Sequence, residues 1–257
     1  MSKKERVLSW VLLALCVAPI LVAVVGIQFL PDQIPVHYNA AGEIDRWGSK
    51  YEELIIGVVF SLGGWILWLV SRFSGCFADT ETERVQARAN AGIVRITGIV
   101  VQLFLLALEI VMLVGAFQEA SAGAAVSSVP INKVVGIGSG LMFLVLGNIM
   151  PKAKPNPCIG VRLPWLEDNP EAWRKSQRAG GIAFAVAGAV CLVLSLLLHG
   201  FILVWVVMIC ALGAAAAFWL GAPPVLVLAV LKCDMPLKAF FCLRRIAGGN
   251  WIRNVTR

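Results

Sequence analysis

The sequence predicts an all-α, polytopic membrane protein with about six transmembrane helices. Hydrophobic residues make up 59% and charged residues 14% of its 257 residues, whereas a soluble domain has close to half and a quarter. The apolar residues also fall into separate runs of roughly 18–25 residues, the length that crosses the hydrocarbon core of a bilayer. Because the apolar excess is concentrated in these runs, it indicates membrane spans rather than an enlarged soluble core.

Six apolar runs supply the predicted spans. The first is too long for the apolar part of a signal peptide and contains Pro19, which predicts a kink. The run after residue 224 is too short to cross alone, so the segment 221–257 is predicted to be a basic cytoplasmic or interfacial tail. Residues 71–92 are predicted to be a charged connection. The predicted helices cover residues 7–30, 54–70, 93–117, 133–150, 180–198 and 201–220.

The distribution of Lys and Arg predicts the orientation. Six spans place both termini on one side of the membrane. If that side is the cytoplasm, only Arg46, Lys50 and Lys133 of the 22 basic residues lie outside, as the positive-inside rule predicts. This bias explains the net charge of +7 without nucleic acid as a partner, and leaves membrane lipids as the expected surroundings.

The chain divides into three predicted parts. Residues 1–75 form an N-terminal membrane domain, with helices 1 and 2 joined by an extracytoplasmic loop at 31–53. Residues 76–220 form a second membrane domain, in which helices 3 to 6 surround a proline-rich cytoplasmic loop at 147–181. The tail at 221–257 is the third part.

The extracytoplasmic loop carries polar and aromatic residues after two prolines. Pro31 and Pro35 predict an extended path, and the sequence at 39–42 predicts a turn. The loop is interpreted either as a small folded cap that binds a ligand, or as a turn whose aromatic side chains lie at the headgroup level. A metal site joining His37 to His199 lacks the several ligands that a metal needs. The candidate ligand-binding residues are His37, Asn39, Gly42, Asp45, Trp47 and Lys50.

The cytoplasmic loop at 147–181 combines prolines with basic residues and tryptophans. One interpretation is a binding surface for anionic lipid headgroups or an acidic partner protein. The other is basic anchoring with tryptophans at the interface. The fixed φ angles of the prolines favour a shaped surface. The candidate partner- or lipid-binding residues are Lys154, Asn156, Gly160, Arg162, Pro164, Trp165, Trp173, Arg174 and Arg178.

Glu109 is an acid well inside a predicted span. An ionisable residue at such a position is a functional candidate, for example as the proton carrier of a transporter. Gln102 or Asn148 is the predicted hydrogen-bond partner. The other interpretation is a neutral, hydrogen-bonded glutamic acid that only packs helices together. An internal repeat, typical of many transporters, is not evident in the two halves.

Catalytic motifs are missing from the sequence. It contains no His-Glu-x-x-His zinc motif, no Gly-x-Ser-x-Gly nucleophile elbow and no phosphate-binding loop. The chain is therefore predicted not to be an enzyme, and no cofactor or metal is expected. A binding protein or receptor and a transporter remain as the function classes.

Both loops resemble parts of a known family. The cytoplasmic loop resembles the signature of the SdpI family, and the extracytoplasmic loop resembles the N-terminal domain of unknown function that often precedes it. In the extracytoplasmic loop the matching residues are Leu30, Pro31, Ile34, Pro35, His37, Asn39, Gly42, Asp45, Trp47 and Lys50. In the cytoplasmic loop they are Gly147, Asn148, Met150, Pro151, Lys152, Lys154, Pro155, Asn156, Ile159, Gly160, Arg162, Pro164, Trp165, Trp173, Arg174, Lys175, Arg178 and Gly181.

This resemblance implies a function that composition and spacing do not. The best-known member of the family is a bacterial immunity protein that protects a cell from a secreted, membrane-attacking peptide toxin. It also signals, by holding a transcriptional repressor at the membrane. The resemblance therefore implies a multi-pass protein of the bacterial cytoplasmic (inner) membrane, with a peptide toxin as outer partner and a repressor protein as inner partner. A small-solute or proton-coupled transporter remains the alternative.

Overall fold

The described residues form a bundle of six helices with a small β-hairpin at one end. The computed structural model describes residues 2–39, 43–77, 80–155, 169–198, 200 and 202–221. The helices are α1 Lys3–Gly26, α2 Glu53–Phe73, α3 Glu81–Ala122, α4 Ile131–Ile149, α5 Pro170–Leu197 and α6 Ile202–Gly221. The strands β1 Gln33–Tyr38 and β2 Ile44–Ser49 lie between α1 and α2. We call this end of the bundle the hairpin end, and the opposite end, where α1 begins, the N-terminal end.

The predicted fold class is confirmed. Over the described part of the chain, α1 to α5 are each long and apolar enough to cross a membrane. Helix α6 has 20 residues and lies where the sixth span was predicted. Large apolar side chains such as Val58, Leu62 and Ile66 of α2 are exposed on the outside of the bundle, as expected for surfaces that face lipid.

The helices form two groups, α1 to α3 and α4 to α6. Within the first group, α1 packs on α2 and α3. The buried residues of α1, Leu12, Cys16, Pro19, Ala23 and Gly26, recur at intervals of three and four, the spacing of a left-handed helix seam. The second group centres on the pair α4 and α5, and α4 also contacts α3. The predicted domain boundary at residue 75 lies just before α3.

Helices α4 and α5 approach closely through glycines. A Cβ atom placed on Gly147 would lie 2.6 Å from the carbonyl oxygen of Gly181. One placed on Gly188 would lie 2.8 Å from the carbonyl oxygen of Gly140. Gly140 and Gly147 are seven residues apart on α4, and Gly181 and Gly188 are seven residues apart on α5. Each helix therefore presents both of its glycines on one face. Small residues at such spacing let two backbones come into direct contact within a membrane.

Helix α3 is much longer than predicted. It has 42 residues, whereas the sequence predicted a helix over 93–117 preceded by a charged connection. The prediction was wrong because it weighed charge and overlooked the helix-start signal. The Thr80 side chain accepts a hydrogen bond from the Glu83 N–H at 3.2 Å, and the first turn contains Glu81 and Glu83, which favour a helix N-terminus.

The extracytoplasmic loop of the prediction is a β-hairpin in the structure. The strands β1 and β2 pair antiparallel, with Pro35 opposite Trp47 and His37 opposite Arg46. The prolines predicted an extended path but not its partner strand. The hairpin packs on the bundle through Ile34, which is buried with Leu30 and Ala116. Strand β2 also hydrogen-bonds to the connection between α3 and α4, where the Ile44 N–H donates to the Ala125 carbonyl oxygen at 3.0 Å.

Candidate functional site

Glu119, near the end of α3, fastens the hairpin to the bundle. Its side chain is 1% exposed. The Tyr38 hydroxyl donates to Oε2 at 2.6 Å. The other oxygen, Oε1, accepts from the Ser128 N–H at 2.6 Å and from the Ser127 hydroxyl at 3.0 Å. Burial, and then the hydrogen bond to Glu119, raise the pKa of Tyr38 well above its ordinary range. This carboxylate is thus fully engaged in holding β1 and the connection between α3 and α4 together.

The predicted residues of the loop lie along the outer side of the hairpin. His37 Nδ1 is 2.6 Å from Asp45 Oδ1 across the strands, with both side chains exposed. The Trp47 side chain is 41% exposed. Asn39 stands at the hairpin turn, where its backbone N–H donates to the Glu43 carbonyl oxygen at 2.9 Å. Gly42 and His199 lie outside the described residues.

Lys50 stands at the base of the hairpin. Its Nζ is 2.9 Å from Asp32 Oδ1, and this hydrogen-bonded ion pair lowers the pKa of Asp32. The hairpin therefore brings His37, Asp45 and Trp47 to one exposed surface, whereas Lys50 joins the two ends of the loop.

A cavity of about 260 Å³ lies between the hairpin and the helices. Its walls are mostly apolar and come from both strands, α2, α3 and the start of α4, and the ion pair of Arg46 and Glu52 also lines it. Glu53, in the first turn of α2, is 4% exposed and lines this cavity. Its Oε2 makes no hydrogen bond to any described residue. A buried carboxylate oxygen without a partner is costly in free energy, so Glu53 is the group in this cavity that a ligand would satisfy.

Glu109 lies below this cavity, inside the bundle. It is 0% exposed, and neither of its carboxylate oxygens forms a hydrogen bond within the described part of the chain. A Cβ atom placed on Gly57 would lie 3.1 Å from Glu109 Oε1. Because Glu53 precedes Gly57 by one helical turn, the two acids lie on one path from the hairpin end inward.

The predicted partners of Glu109 are wrong. Neither Gln102 nor Asn148 forms a hydrogen bond with it. Gln102 lies seven residues earlier on α3, which is about 10 Å along the axis, and its amide packs against Gly64 and not against Glu109. Asn148 is exposed on α4, whereas Glu109 is fully buried.

At the N-terminal end, α3 is joined to the start of the proline-rich loop. The Asn90 Nδ2 donates to the Lys154 carbonyl oxygen at 2.8 Å, and the Lys154 N–H donates to Asn90 Oδ1 at 2.9 Å. The Trp173 side chain is 2% exposed, and its indole N–H donates to the Ala153 carbonyl oxygen at 2.7 Å. Trp173 was expected on a binding surface. It is instead a buried anchor between α5 and residue 153, because both its ring and its N–H find partners inside the protein.

The basic side chains of the loop that the structure describes remain accessible. Lys154, Arg174 and Arg178 are exposed, and Arg174 and Arg178 stand one turn apart on α5, so they share a face. The other candidates of this loop, Asn156, Gly160, Arg162, Pro164 and Trp165, lie outside the described residues. Among the described residues, no group of three or more His, Cys, Asp or Glu side chains is arranged to hold a metal ion.

Three residues of these sites were not among the predicted ones, namely Glu53, Asn90 and Glu119. Each is a polar residue within or beside an apolar run, which is the signal that singled out Glu109. Glu53 and Glu119 were assigned to loops, where acids are ordinary. Both are buried because the hairpin packs over them, and the sequence did not predict a hairpin there.

Two family models match separate parts of the chain. Residues 152–231 match the SdpI/YfhL protein family, and residues 14–62 match a domain of unknown function, DUF1648. The first match begins two residues before Lys154, which Asn90 binds, and the second covers the latter half of α1, the hairpin and the first half of α2. The chain is similar to the SdpI/YfhL family over residues 152–231. The recognition made from the two loops is therefore confirmed.

Two relatives extend this assignment. The immunity protein SdpI of Bacillus subtilis (strain 168) is 20% identical over 192 residues, which cover 75% of this chain and 82% of that protein. An uncharacterized protein of Archaeoglobus fulgidus is 42% identical over 43 residues, 17% of this chain and 24% of that protein. No solved structure matches this chain.

Proposed function

We propose that this protein is a membrane immunity protein that binds a secreted peptide toxin at its hairpin end. The observation that carries the proposal is the cavity beneath the hairpin, with the unpartnered carboxylate oxygen of Glu53 in its wall. The similarity to an immunity protein over 75% of the chain supports the same function.

The chemistry of the cavity suits a basic, amphipathic peptide. Its walls are largely apolar, so they accept the apolar side of such a peptide, and Glu53 provides an acceptor for an ammonium or guanidinium group. Its volume of about 260 Å³ is at the lower limit of small-molecule pockets, which suits one or two side chains of a larger ligand. His37, Asp45 and Trp47 do not line the cavity. The exposed surface that they form on the hairpin is proposed to contact the rest of the peptide.

The N-terminal end is proposed to face the cytoplasm and to signal. The distribution of Lys and Arg favours this orientation. In it, the basic surface formed by Lys154, Arg174 and Arg178 contacts an acidic protein partner, such as a repressor held at the membrane. Coupling requires the toxin to bind one of two conformations more tightly. The joint between Asn90 and Lys154 is the proposed route, since it connects α3, which lines the cavity, to the basic loop.

Survival of toxin-sensitive bacteria tests the immunity function. Cells that express the chain are challenged with a panel of membrane-active peptides, and membrane abundance is checked for every variant. We expect protection by the wild type, loss of protection when His37, Asp45 and Trp47 are all changed to alanine, and at least about tenfold weaker protection for Glu53→Gln. Gln118→Ala is the control, because it changes an exposed polar residue of α3 at the same end that does not line the cavity.

The assay tests the cavity and the immunity function separately. Equal protection by the wild type and by Glu53→Gln would exclude the cavity as the contact site. Absence of protection against every peptide would contradict the immunity function itself.

Transport of protons or a small solute is the second candidate function. Glu109 favours it, because a fully buried acid without a hydrogen bond among the described residues is the group that a proton carrier needs. Glu53 would be the group that delivers the proton from the hairpin end. The substitution Glu109→Gln distinguishes the two functions, because proton-coupled transport should be lost and toxin binding should persist.

A further inference from the structure

A second and larger cavity lies at the N-terminal end, between the start of α1, the end of α2 and the first turns of α3. Its volume is about 780 Å³. None of the residues discussed so far lines it. The side chains around it that carry charge are Glu5, Arg72, Arg84, Arg88 and Arg95.

Arg95 is the unusual member of this set. It is 3% exposed, and its Nε and Nη1 make no hydrogen bond to any residue that the structure describes. A buried guanidinium with two nitrogens that lack acceptors is unfavourable unless an anion reaches them. Because Arg95 also lines the cavity, that anion can enter from the cavity.

The other arginines are arranged toward the same space. Arg84, Arg88 and Arg95 follow one another on α3 at intervals of four and seven residues, which places them on one face. Ala91 lies on this face as well, and its small side chain leaves room between them. Arg72 reaches the cavity from the end of α2, where its guanidinium lies 5.8 Å from the centre of the Phe73 ring.

The acids described at this end are already engaged or distant. The Glu5 carboxylate accepts a hydrogen bond from the Ser2 N–H at 2.7 Å, as part of the capping box that starts α1. It also lines the cavity, near enough to Arg95 for the two charges to interact, so one acid stands against four arginines there. Glu81 lies 3.8 Å from Arg84 in a solvent-exposed pair, and such a pair contributes little. Within the described residues, the lining of the cavity is therefore strongly positive.

We propose that this cavity binds a phosphate-bearing anion, with the phosphate held by Arg95 and Arg88. Guanidinium groups match the oxygens of phosphate in pairs, and a phosphate offers enough acceptor oxygens to bind more than one of the arginines around the cavity. Two sources supply this chemistry: the headgroup of an anionic phospholipid and a free phosphorylated solute. The exposed Trp10 and Val11 of α1 continue from this end along the outside of the bundle, so an acyl chain has an apolar surface to follow.

The test measures binding to the purified full-length protein in detergent. Three probes are compared by thermal shift and native mass spectrometry: short-chain phosphatidylglycerol, short-chain phosphatidylcholine and inorganic pyrophosphate, all at one ionic strength. The variants are Arg95→Gln and Arg88→Gln. Arg6→Gln is the matched control, because Arg6 is an exposed arginine of α1 at the same end that does not line the cavity.

We expect at least about tenfold weaker phosphate binding for Arg95→Gln and Arg88→Gln, and unchanged binding for Arg6→Gln. Arg88→Gln keeps the test valid if Arg95→Gln does not fold, because Arg88 is exposed.

The probes identify the source of the phosphate. Binding of phosphatidylglycerol that pyrophosphate does not displace assigns the site to a lipid headgroup, and stabilisation by pyrophosphate alone assigns it to a soluble phosphate. Equal binding of phosphatidylcholine and phosphatidylglycerol with no effect of pyrophosphate would overturn the proposal. Binding that neither arginine substitution weakens would overturn it as well.

Discussion

Asn90 and Lys154 are joined by two hydrogen bonds across 64 residues of sequence, one in each direction between the Asn90 amide and the Lys154 backbone. Asn90 is 2% exposed and lies on α3, whereas Lys154 lies two residues into the segment that matches the SdpI/YfhL family. Through this pair α3 contacts the start of the proline-rich loop.

Loss of this joint should loosen the loop without unfolding the bundle. For Asn90→Ala we expect a loss of about 2 kcal/mol in the free energy of unfolding, because two hydrogen bonds are removed and two backbone groups lose their partners. Thermal unfolding in detergent and protease cleavage near residue 154 measure the effect. Thr82→Ala, at an exposed position of α3, should change neither, and equal cleavage of both variants would contradict the assigned role.

The tie between Tyr38 and Glu119 predicts a pH dependence. The folded protein raises the pKa of Tyr38, so it favours the neutral phenol. The stabilisation is therefore complete below the unfolded pKa of about 10 and is lost as the pH rises through the higher folded pKa.

Spectrophotometric titration checks this pKa. The chain has two tyrosines, so Tyr51→Phe leaves Tyr38 as the single phenol. We expect its ionisation above pH 10, and we expect Glu119→Gln to lower the midpoint by removing the neighbouring charge. A midpoint at or below 10 in the Tyr51→Phe protein would show that the phenol is not held by Glu119 in solution.

The glycine contact between α4 and α5 predicts that one added methyl group lowers stability at Gly147 but not at Gly92. Gly147→Ala should destabilise the protein by about 1–3 kcal/mol, since the new Cβ would meet backbone atoms of α5 at 2.6 and 2.7 Å. Gly92→Ala is the matched control, because a Cβ there meets nothing within 4 Å and alanine favours the helix by about 0.5–1 kcal/mol. Thermal unfolding of the two variants should shift in opposite directions, and a shift of the same sign would argue against the packing.

Glu109→Gln separates the two proposed functions. The glutamine amide resembles the carboxyl group in size but does not take up or release a proton near neutral pH. The Glu109 carboxylate makes no hydrogen bond within the described residues, so the substitution breaks none. We expect folding stability to change by less than about 1 kcal/mol. If the protein binds a toxin, protection persists in the survival assay. Loss of protection at normal membrane abundance would instead favour proton-coupled export.

The proposed orientation is testable with a membrane-impermeant maleimide in intact cells. Ser49→Cys, on the exposed side of β2, should react, whereas Lys175→Cys, exposed on α5, should react only after permeabilisation. The wild type serves as the control, because its exposed Cys76 lies on the proposed cytoplasmic side and should stay unlabelled. Reaction of Lys175→Cys in intact cells would reverse the assignment.

The sequence predicted the membrane class and the six helical segments, but it misjudged the regions at their ends. Residues 81–92 were predicted to be loop because they are charged, yet Thr80 and the first-turn acids start α3 there. The strand partner of Pro35 was not predictable, since a proline indicates extended backbone without indicating what lies beside it. Among the candidate site residues, Trp173 was recognised as important but given the wrong surroundings, because a tryptophan near charged residues is equally typical of an interface and of a buried anchor.

What the sequence by itself determined is which segments enter the membrane and which family they resemble. Each span must satisfy the thickness of the hydrocarbon layer on its own, so composition and length suffice to locate it. Only the tertiary structure decided which polar groups meet. Glu119 joins Tyr38, 81 residues away, Glu53 lacks an equivalent partner, and Arg95 lines a positive cavity. These differences arise because the packing of several helices selects the faces that come together, and no single segment contains that information.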